Sequence, residues 1–472
     1  MSRAKNPVVW RSLLALLAAN AVAQSAHAQG CLEVRPTEAA SPQTYGSAEV
    51  AFYDSASGRA RVHYALSGIH APPAASTLVA DVPDAAVVAA QAADDAFDKY
   101  SALSYEAPLS DADSPCASNG DSDAVDVYLI HFPSADGQAV PDHCLPGSPK
   151  RCSGFVMVES AFRGSGYAST EEGLRTVVPH ELFHLVQDAY DADVERWWAE
   201  GSAQWAAKQV YPDLKDLERF LPSYFKSPWR PLNIPPNGVI TDFLYATAIW
   251  PVFLDERFDA GVVREVFESF DGGTEVLPPT DRVLQAHGSS LAKEFLQFAA
   301  YNAATGDRAP DSGGYSQAAS YPQVTPVALT AQNGALVSDV AAGLGAFYYS
   351  VSTDAATELS LDADTARVAA LALPIVDGKA LLAEAQALPT KVQGDVVVVV
   401  AGQDLARNDA PFTLNAAPAG STSKGGGPKD SGCSLRQTPG QRGSWSGAGI
   451  GFVVILLGRF RARARLSKGP RQ

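Results

Sequence analysis

His180-Glu181-Leu182-Phe183-His184 places two imidazoles four positions apart, with a carboxylate beside the first. On a helix, positions i and i+4 share a face, so both rings can converge on one ion, and Zn²⁺ suits such a pair. Glu181 then lies where it can take a proton from a water at that ion. Leu182, Phe183, Leu185 and Val186 surround the histidines with apolar bulk, so the helix is expected to be buried. Two histidines and a glutamate inside a buried helix are costly unless a cation meets them. Thr176-Val177-Val178-Pro179 leads in, and the proline reads as a first-turn residue, where its missing N–H costs nothing.

Zinc takes a third protein ligand and keeps a fourth position open. Downstream stands Trp197-Trp198-Ala199-Glu200-Gly201-Ser202-Ala203-Gln204-Trp205, with fifteen residues between His184 and Glu200. Asp191-Ala192-Asp193 reads as a turn, so Glu200 would ride a second helix packed on the first, with Gly201 and Ala203 allowing close approach. Asp188 is nearer in sequence, but on the same helix it lies about 12 Å along the axis from His180. Asp191, Asp193 and Glu195 read as loop and cap residues. The three tryptophans read as core around the two helices.

HELFH followed by WWAEGSA resembles the gluzincin zinc metallopeptidases, whose third ligand is a glutamate in a similar setting. The resemblance implies an α+β zincin-like domain, with His180, His184 and Glu200 as metal ligands and Glu181 as catalytic base. In thermolysin-like members an aspartate four residues past the ligand glutamate supports the first histidine. Here that position is Gln204, whose carbonyl could accept the imidazole N–H more weakly. The fifteen-residue gap is also shorter than in the best-known gluzincin families. A broader similarity, carried by Arg61-Val62-His63-Tyr64, Val125–Leu129 and Ala300–Gly306, is to a group of metalloproteases of myxobacteria.

A hydroxide attacking the scissile carbonyl leaves an oxyanion, which a further donor usually steadies. Tyr245, Tyr190 and His287 are the candidates. The remaining histidines, His63, His70, His131 and His143, read as structural. The acidic stretch from Asp111 to Asp126 could hold Ca²⁺, but without EF-hand spacing it reads as a solvated loop.

Residues 1–28 read as a signal peptide: Arg3, Lys5 and Arg11, an apolar run from Leu13 to Ala23, then Ala26-His27-Ala28. Cys31 lacks the leucine three positions before it that lipidation would want. At the other end a Gly/Ser/Lys linker (418–432) precedes Gly432-Cys433-Ser434, an apolar run from Gly447 to Gly458, and Arg459, Arg461, Arg463 and Arg465. This tail, 433–472, resembles the MYXO-CTERM sorting type. That implies a sorting protease acting near Cys433, display on the cell surface, and membrane contact only through the short segment. The alternative is a simple tail anchor. The formal charge of −16 becomes −27 once the three basic residues of 1–28 and the eight of 434–472 are removed. Such acidity suits an extracellular protein and argues against nucleic-acid binding.

Cys31, Cys116, Cys144 and Cys152 would form two disulfides in an exported chain, with three pairings open. Cys144 and Cys152 bracket a short loop, which favours their pairing and leaves Cys31 with Cys116. Without a CxxC cluster, these cysteines staple rather than bind zinc.

Along the chain, Ser47–Tyr64 alternates like strands, Asp84–Tyr100 has helical spacing, and Asp126–Phe132 and Gly154–Val158 read as strands. Gly154–Glu159 is the expected cleft-edge strand to which an extended peptide would add. Residues 29–165 would form the mixed-sheet part of a peptidase domain and 166–305 its helical, zinc-bearing part. Asn302–Pro322 reads as a linker, and 323–417 as a β-sandwich whose lack of histidine leaves it little prospect of carrying the chemistry. The function so read is a surface-retained zinc peptidase acting on protein or peptide substrates. The alternative is a non-catalytic surface binding or adhesion protein on that scaffold.

Overall fold

The computed structural model describes residues 34–112, 122–133, 135–233, 242–330, 333–406 and 409–418. The expectations for the signal peptide, for Cys31 and Cys116, and for the linker and tail beyond 418 lie outside these residues.

The fold is α+β. Its first half is a five-stranded mixed sheet in the order β1-β2-β3-β5-β4. The strands are β1 (Val50–Asp54), β2 (Ala60–Ala65), β3 (Val125–Ile130), β4 (Gly137–Cys144) and β5 (Cys152–Glu159). β2, β3 and β5 run parallel, while β1 and β4 are antiparallel flanks. The parallel step from β2 to β3 is bridged by α1 (Asp84–Ala102), whose alanine-rich face is buried. Alternation splits the strands cleanly. Val62, Val127, Leu129, Val156 and Val158 face the helices, while Tyr128, Ile130, Phe155 and Met157 form a second core on the other side.

That second side is capped by the segment before β1. Tyr45 donates its hydroxyl to the carbonyls of His63 and Leu129. Arg35 is buried and meets Asp111, Asp126 and Asp142, the last at 2.6 Å. Asp126 also pairs with His63 at 2.7 Å. Both ends of the acidic stretch read as a solvated loop are therefore buried against one guanidinium.

Helices follow β5. They are α2 (Thr170–Asp188), α3 (Arg196–Val210), α4 (Asp216–Phe225), α5 (Asp242–Ala246), α6 (Ile249–Arg257), α7 (Ala260–Glu268), α8 (Leu277–Ala286) and α9 (Leu291–Ala303). α2 begins at Ser169, whose hydroxyl accepts the Glu172 N–H at 3.1 Å, a cap spelled in the sequence as Ser-Thr-Glu-Glu. Pro179 is thus an interior residue rather than a first-turn one. Its carbonyl accepts the Tyr100 hydroxyl at 2.7 Å, tying α2 to α1.

Asn302–Pro322, which reads as a linker, is packed instead. Asn302, Ala309, Tyr315, Ala318 and Tyr321 are buried, and the Tyr315 hydroxyl donates to Asn302 Oδ1 at 2.8 Å. Small residues there serve tight packing, not freedom.

The remainder is one eight-stranded sheet, mainly antiparallel, in the order β10-β9-β12-β8-β13-β7, with β11 on β9 and a parallel β6 on β8. The strands are β6 (Val327–Thr330), β7 (Gly334–Ala341), β8 (Ala346–Ala363), β9 (Val368–Val376), β10 (Lys379–Ala380), β11 (Gln386–Ala387), β12 (Thr390–Gly402) and β13 (Ala410–Pro418). Phe412 lies opposite Ala363 in the ladder, yet its ring is 5.7 Å from Phe347, sixteen positions earlier on the same strand. A straight strand would hold positions 347 and 363 roughly 50 Å apart. β8 therefore bends over so that its halves face each other, giving a sandwich-like layer pair with its own core of Tyr349, Val351, Val398, Val400, Phe412 and Leu414. The outer face of β12, with Val397, Val399 and Ala401, joins the core of the helical half. The Tyr348 hydroxyl seals the junction by donating to Ala299 O at 3.1 Å.

Candidate metal centre

α2 and α3 are joined by the turn at Asp191–Asp193 and lie against each other. His180 and His184 project from one face of α2, and Glu200 faces them from the second turn of α3. His180 Nε2 and His184 Nε2 are 3.2 Å apart. Glu200 Oε2 stands 3.3 Å from the first and 3.6 Å from the second. Atoms about 2.0–2.1 Å from a tetrahedral zinc stand about 3.3–3.4 Å from one another, so this triangle has the dimensions of three corners of a zinc site. Among the described residues it is the one group of three or more His, Cys, Asp or Glu side chains with this convergence. Asp188, Asp191, Asp193 and Glu195 do not belong to it.

The centre is deeply set. His180 is 5%, His184 8%, Glu200 1% and Glu181 0% exposed. The hydrogen bond and charge of Glu200 outweigh burial and push His184 up to about 9. Burial alone would raise the Glu200 carboxyl; hydrogen bonds from both imidazoles win and hold it well below the usual carboxylate range. Both shifts follow from the carboxylate and the imidazoles facing one another at close range. The donor set, two imidazoles and one carboxylate with Nε2 atoms turned inward, fits Zn²⁺.

Glu181 points to the other side of the helix face, toward β4. Burial raises its pKa against the pull of the two histidines and of the Ala139 N–H on β4. The Tyr245 hydroxyl is buried and unpartnered. The rings of Tyr245 and His180 are 5.8 Å apart, and after burial the charges of Glu200 and Glu181 raise that hydroxyl further. A buried hydroxyl without a partner beside one His/His/Glu triangle marks a place for a polar atom from outside the chain.

Of the other oxyanion candidates, neither is here. The Tyr190 hydroxyl accepts the Glu106 N–H at 2.8 Å, and His287 pairs with Glu265 at 2.7 Å on the surface. Gly201 does not face α2 as its position suggests. A Cβ there would meet Thr247 Oγ1 at 2.6 Å, so this glycine admits the α5–α6 junction that carries Tyr245.

The surrounding polar groups also differ from the expectation for Gln204. Its amide donates to Asp216 at 2.8 Å and leaves His180 alone. Asp216, on α4, lies near enough for His180 to lower its pKa, although burial dominates and raises it. The partner of a ligand histidine is Gln187, whose Oε1 lies 2.8 Å from His184 Nδ1. A glutamine three residues past His184, on the helix face that carries both histidines, was the available signal.

Gly154–Glu159 is not an edge strand: β5 is enclosed by β3 and β4, and β4 is the edge of the sheet on this side. A cavity of about 10 Å³, room for about one water molecule, is lined by Ala139 and Pro141 of β4 with His184, Gln187, Asp188 and Ala199. A larger cleft of about 400 Å³ lies at Asp54, Arg59, Arg61 and Phe97 and shares no residue with this centre.

The Cys144–Cys152 disulfide joins facing positions of β4 and β5. The loop it closes grips the turn between α2 and α3. The Lys150 carbonyl accepts the Ala192 N–H at 2.7 Å, Lys150 Nζ pairs with Asp193 at 2.9 Å, and Arg151 donates to Ala189 O at 2.5 Å. His63, His131 and His70 have structural partners in Asp126, Glu159 and the His131 N–H. No helix among the described residues is long and apolar enough to cross a membrane. Comparison with known proteins adds no relative to this geometry: no family model matches the chain, and no curated protein matches it.

Proposed function

We propose that this chain is an exported, surface-retained zinc metallopeptidase of gluzincin type, with 29–165 and 166–305 as the two parts of a zincin-like domain. The observation that carries the reading is the 3.2, 3.3 and 3.6 Å triangle of His180, His184 and Glu200 with the buried carboxylate of Glu181 beside it. His180, His184 and Glu200 would hold the ion. Bound there, Zn²⁺ supplies Lewis acidity, which brings the pKa of a coordinated water toward neutrality and polarises a carbonyl.

The chain's own residues do the rest. Glu181, its pKa raised by burial, accepts a proton from the attacking water and returns it to the leaving nitrogen. The Tyr245 hydroxyl, without an internal partner, donates to the carbonyl oxygen as charge develops there; removing one such donor costs about 3 kcal/mol. An extended peptide adds to the outer edge of β4, which pairs only with β5 among the described residues. The Cys144–Cys152 disulfide supports export to an oxidising compartment.

Zinc content and casein hydrolysis of wild type, His184→Ala and Glu181→Gln test this reading. Wild type should carry one zinc and cleave. His184→Ala should lose both properties, and Glu181→Gln should keep zinc while losing at least about a thousandfold in rate. Zinc without cleavage in wild type would favour the adhesion reading instead.

A further inference from the structure

We propose that Gln187 is a positioning residue that fixes the ring of His184 and its distance from Glu200 together; the inference rests on the zinc reading above. Gln187 is buried and lies three residues beyond His184 on α2, so the two side chains share a helix face. Its amide oxygen accepts the His184 Nδ1–H at 2.8 Å. Its amide nitrogen gives one hydrogen to Ala199 O at 2.8 Å and the other to Ser202 Oγ at 3.0 Å, both on α3. A primary amide has two donors and one carbonyl, and all are engaged.

The direction of the amide follows from its partners. The Ala199 carbonyl can only accept, so the nitrogen of Gln187 must face α3 and the oxygen must face the imidazole. The imidazole then carries its hydrogen on Nδ1 in the neutral ring, and the Nε2 lone pair is aimed at the triangle. Ala199 is also the residue before Glu200. One side chain thus chooses the tautomer of one ligand and anchors the backbone of another.

Three chemistries separate these duties. Methionine keeps the bulk but neither accepts nor donates as the amide does. Glutamate keeps the acceptor for Nδ1–H and loses both donors. Ser202→Ala removes one tether partner without touching His184.

The experiment measures Zn²⁺ affinity of the purified full chain by competition with a chromophoric chelator, together with the visible spectrum of the Co²⁺ form. Gln187→Met should weaken Zn²⁺ binding by about 10–100-fold and alter the Co²⁺ spectrum. Gln187→Glu, which keeps the acceptor but loses both tethers, should recover only part of that loss, and Ser202→Ala, which removes one tether, should weaken binding by several-fold. A folded Gln187→Met protein that binds Zn²⁺ as tightly as wild type overturns the proposal. So does a Gln187→Glu protein as weak as the methionine variant, and that comparison also serves if Gln187→Met does not fold. A wild type that binds no Zn²⁺ takes down the zinc reading and this one with it, whereas intact wild-type binding with indifferent Gln187 variants sinks this one alone.

Discussion

Gly137 of β4 lies against the carboxylate of Glu181. A Cβ built on Gly137 would stand 2.7 Å from Glu181 Oε1, 2.8 Å from its Cγ and 2.5 Å from Val177 Cγ1. Its backbone is not in the left-handed region, so what glycine supplies here is space. The edge strand can approach α2 because one methyl is missing.

Gly137→Ala should therefore move Glu181 while leaving the ligand triangle in place. Overpacking of this kind costs about 1–3 kcal/mol, and a misplacement of about 1 Å can cost about 100-fold in rate. Peptide hydrolysis should fall by that order while zinc content stays at one per chain. An alanine variant with unchanged turnover would show that the base has room to spare.

The loop closed by Cys144 and Cys152 holds the turn that sets α3 against α2. Replacing both cysteines with serine should lower stability by about 2–3 kcal/mol for a loop this short. It should also loosen the hold on zinc, so chelator competition should show weaker binding at a temperature where both proteins are folded. Equal affinities would mean that the grip of the loop on the turn does not reach the ligands.

Arg35 pairs with Asp111, Asp126 and Asp142 together. Its removal leaves three buried carboxylates, and breaking a buried pair typically costs about 3–5 kcal/mol. Arg35→Met should be destabilised by at least that much in urea melts. Asp111 is pushed up to about 6 chiefly by burial, so its charge is loosely held and Asp111→Asn should cost far less. A mild Arg35→Met would contradict this account of the N-terminal cap.

Asp188 is pushed up to about 7, first by burial, with the charges of His184 and Lys150 pulling the other way. Between the ordinary value near 3.8 and about 7, the folded chain holds a proton that the unfolded chain has released. Stability from this site therefore falls as pH rises through that window. Asp188→Asn should flatten the fall and leave the protein about 2–4 kcal/mol more stable at pH 8, measured in urea with a chelator present. Parallel pH profiles would remove Asp188 from the account.

The convergence of His180, His184 and Glu200 was legible because helical spacing turns sequence distance directly into geometry. His180 and His184 share a face at i and i+4, and a short turn returns the chain to place Glu200 opposite them. Strand order is not local in this way. The sequence puts Gly154–Glu159 just before α2, yet the antiparallel return of β4 beside it makes β4 the edge. Arg35 meets acids 76, 91 and 107 positions away, a relation no window of sequence displays. Gln204 and Gln187 show the same limit at short range. Both sit near ligands, and only the packing of α4 decides that Gln204 turns to Asp216. Composition misled at Asn302–Pro322, where small residues allow Tyr315 and Tyr321 to bury rather than the chain to roam.

Successive valines of β12 are committed to different neighbours: Val396, Val398 and Val400 to the interior of the sandwich, Val397 and Val399 to the helices. No cut between the two halves leaves both fragments with a wetted surface they can tolerate. Recombination that swapped the C-terminal layers for another module would strand a slab of valine and tyrosine in water, so the two halves can be inherited only as an indivisible pair.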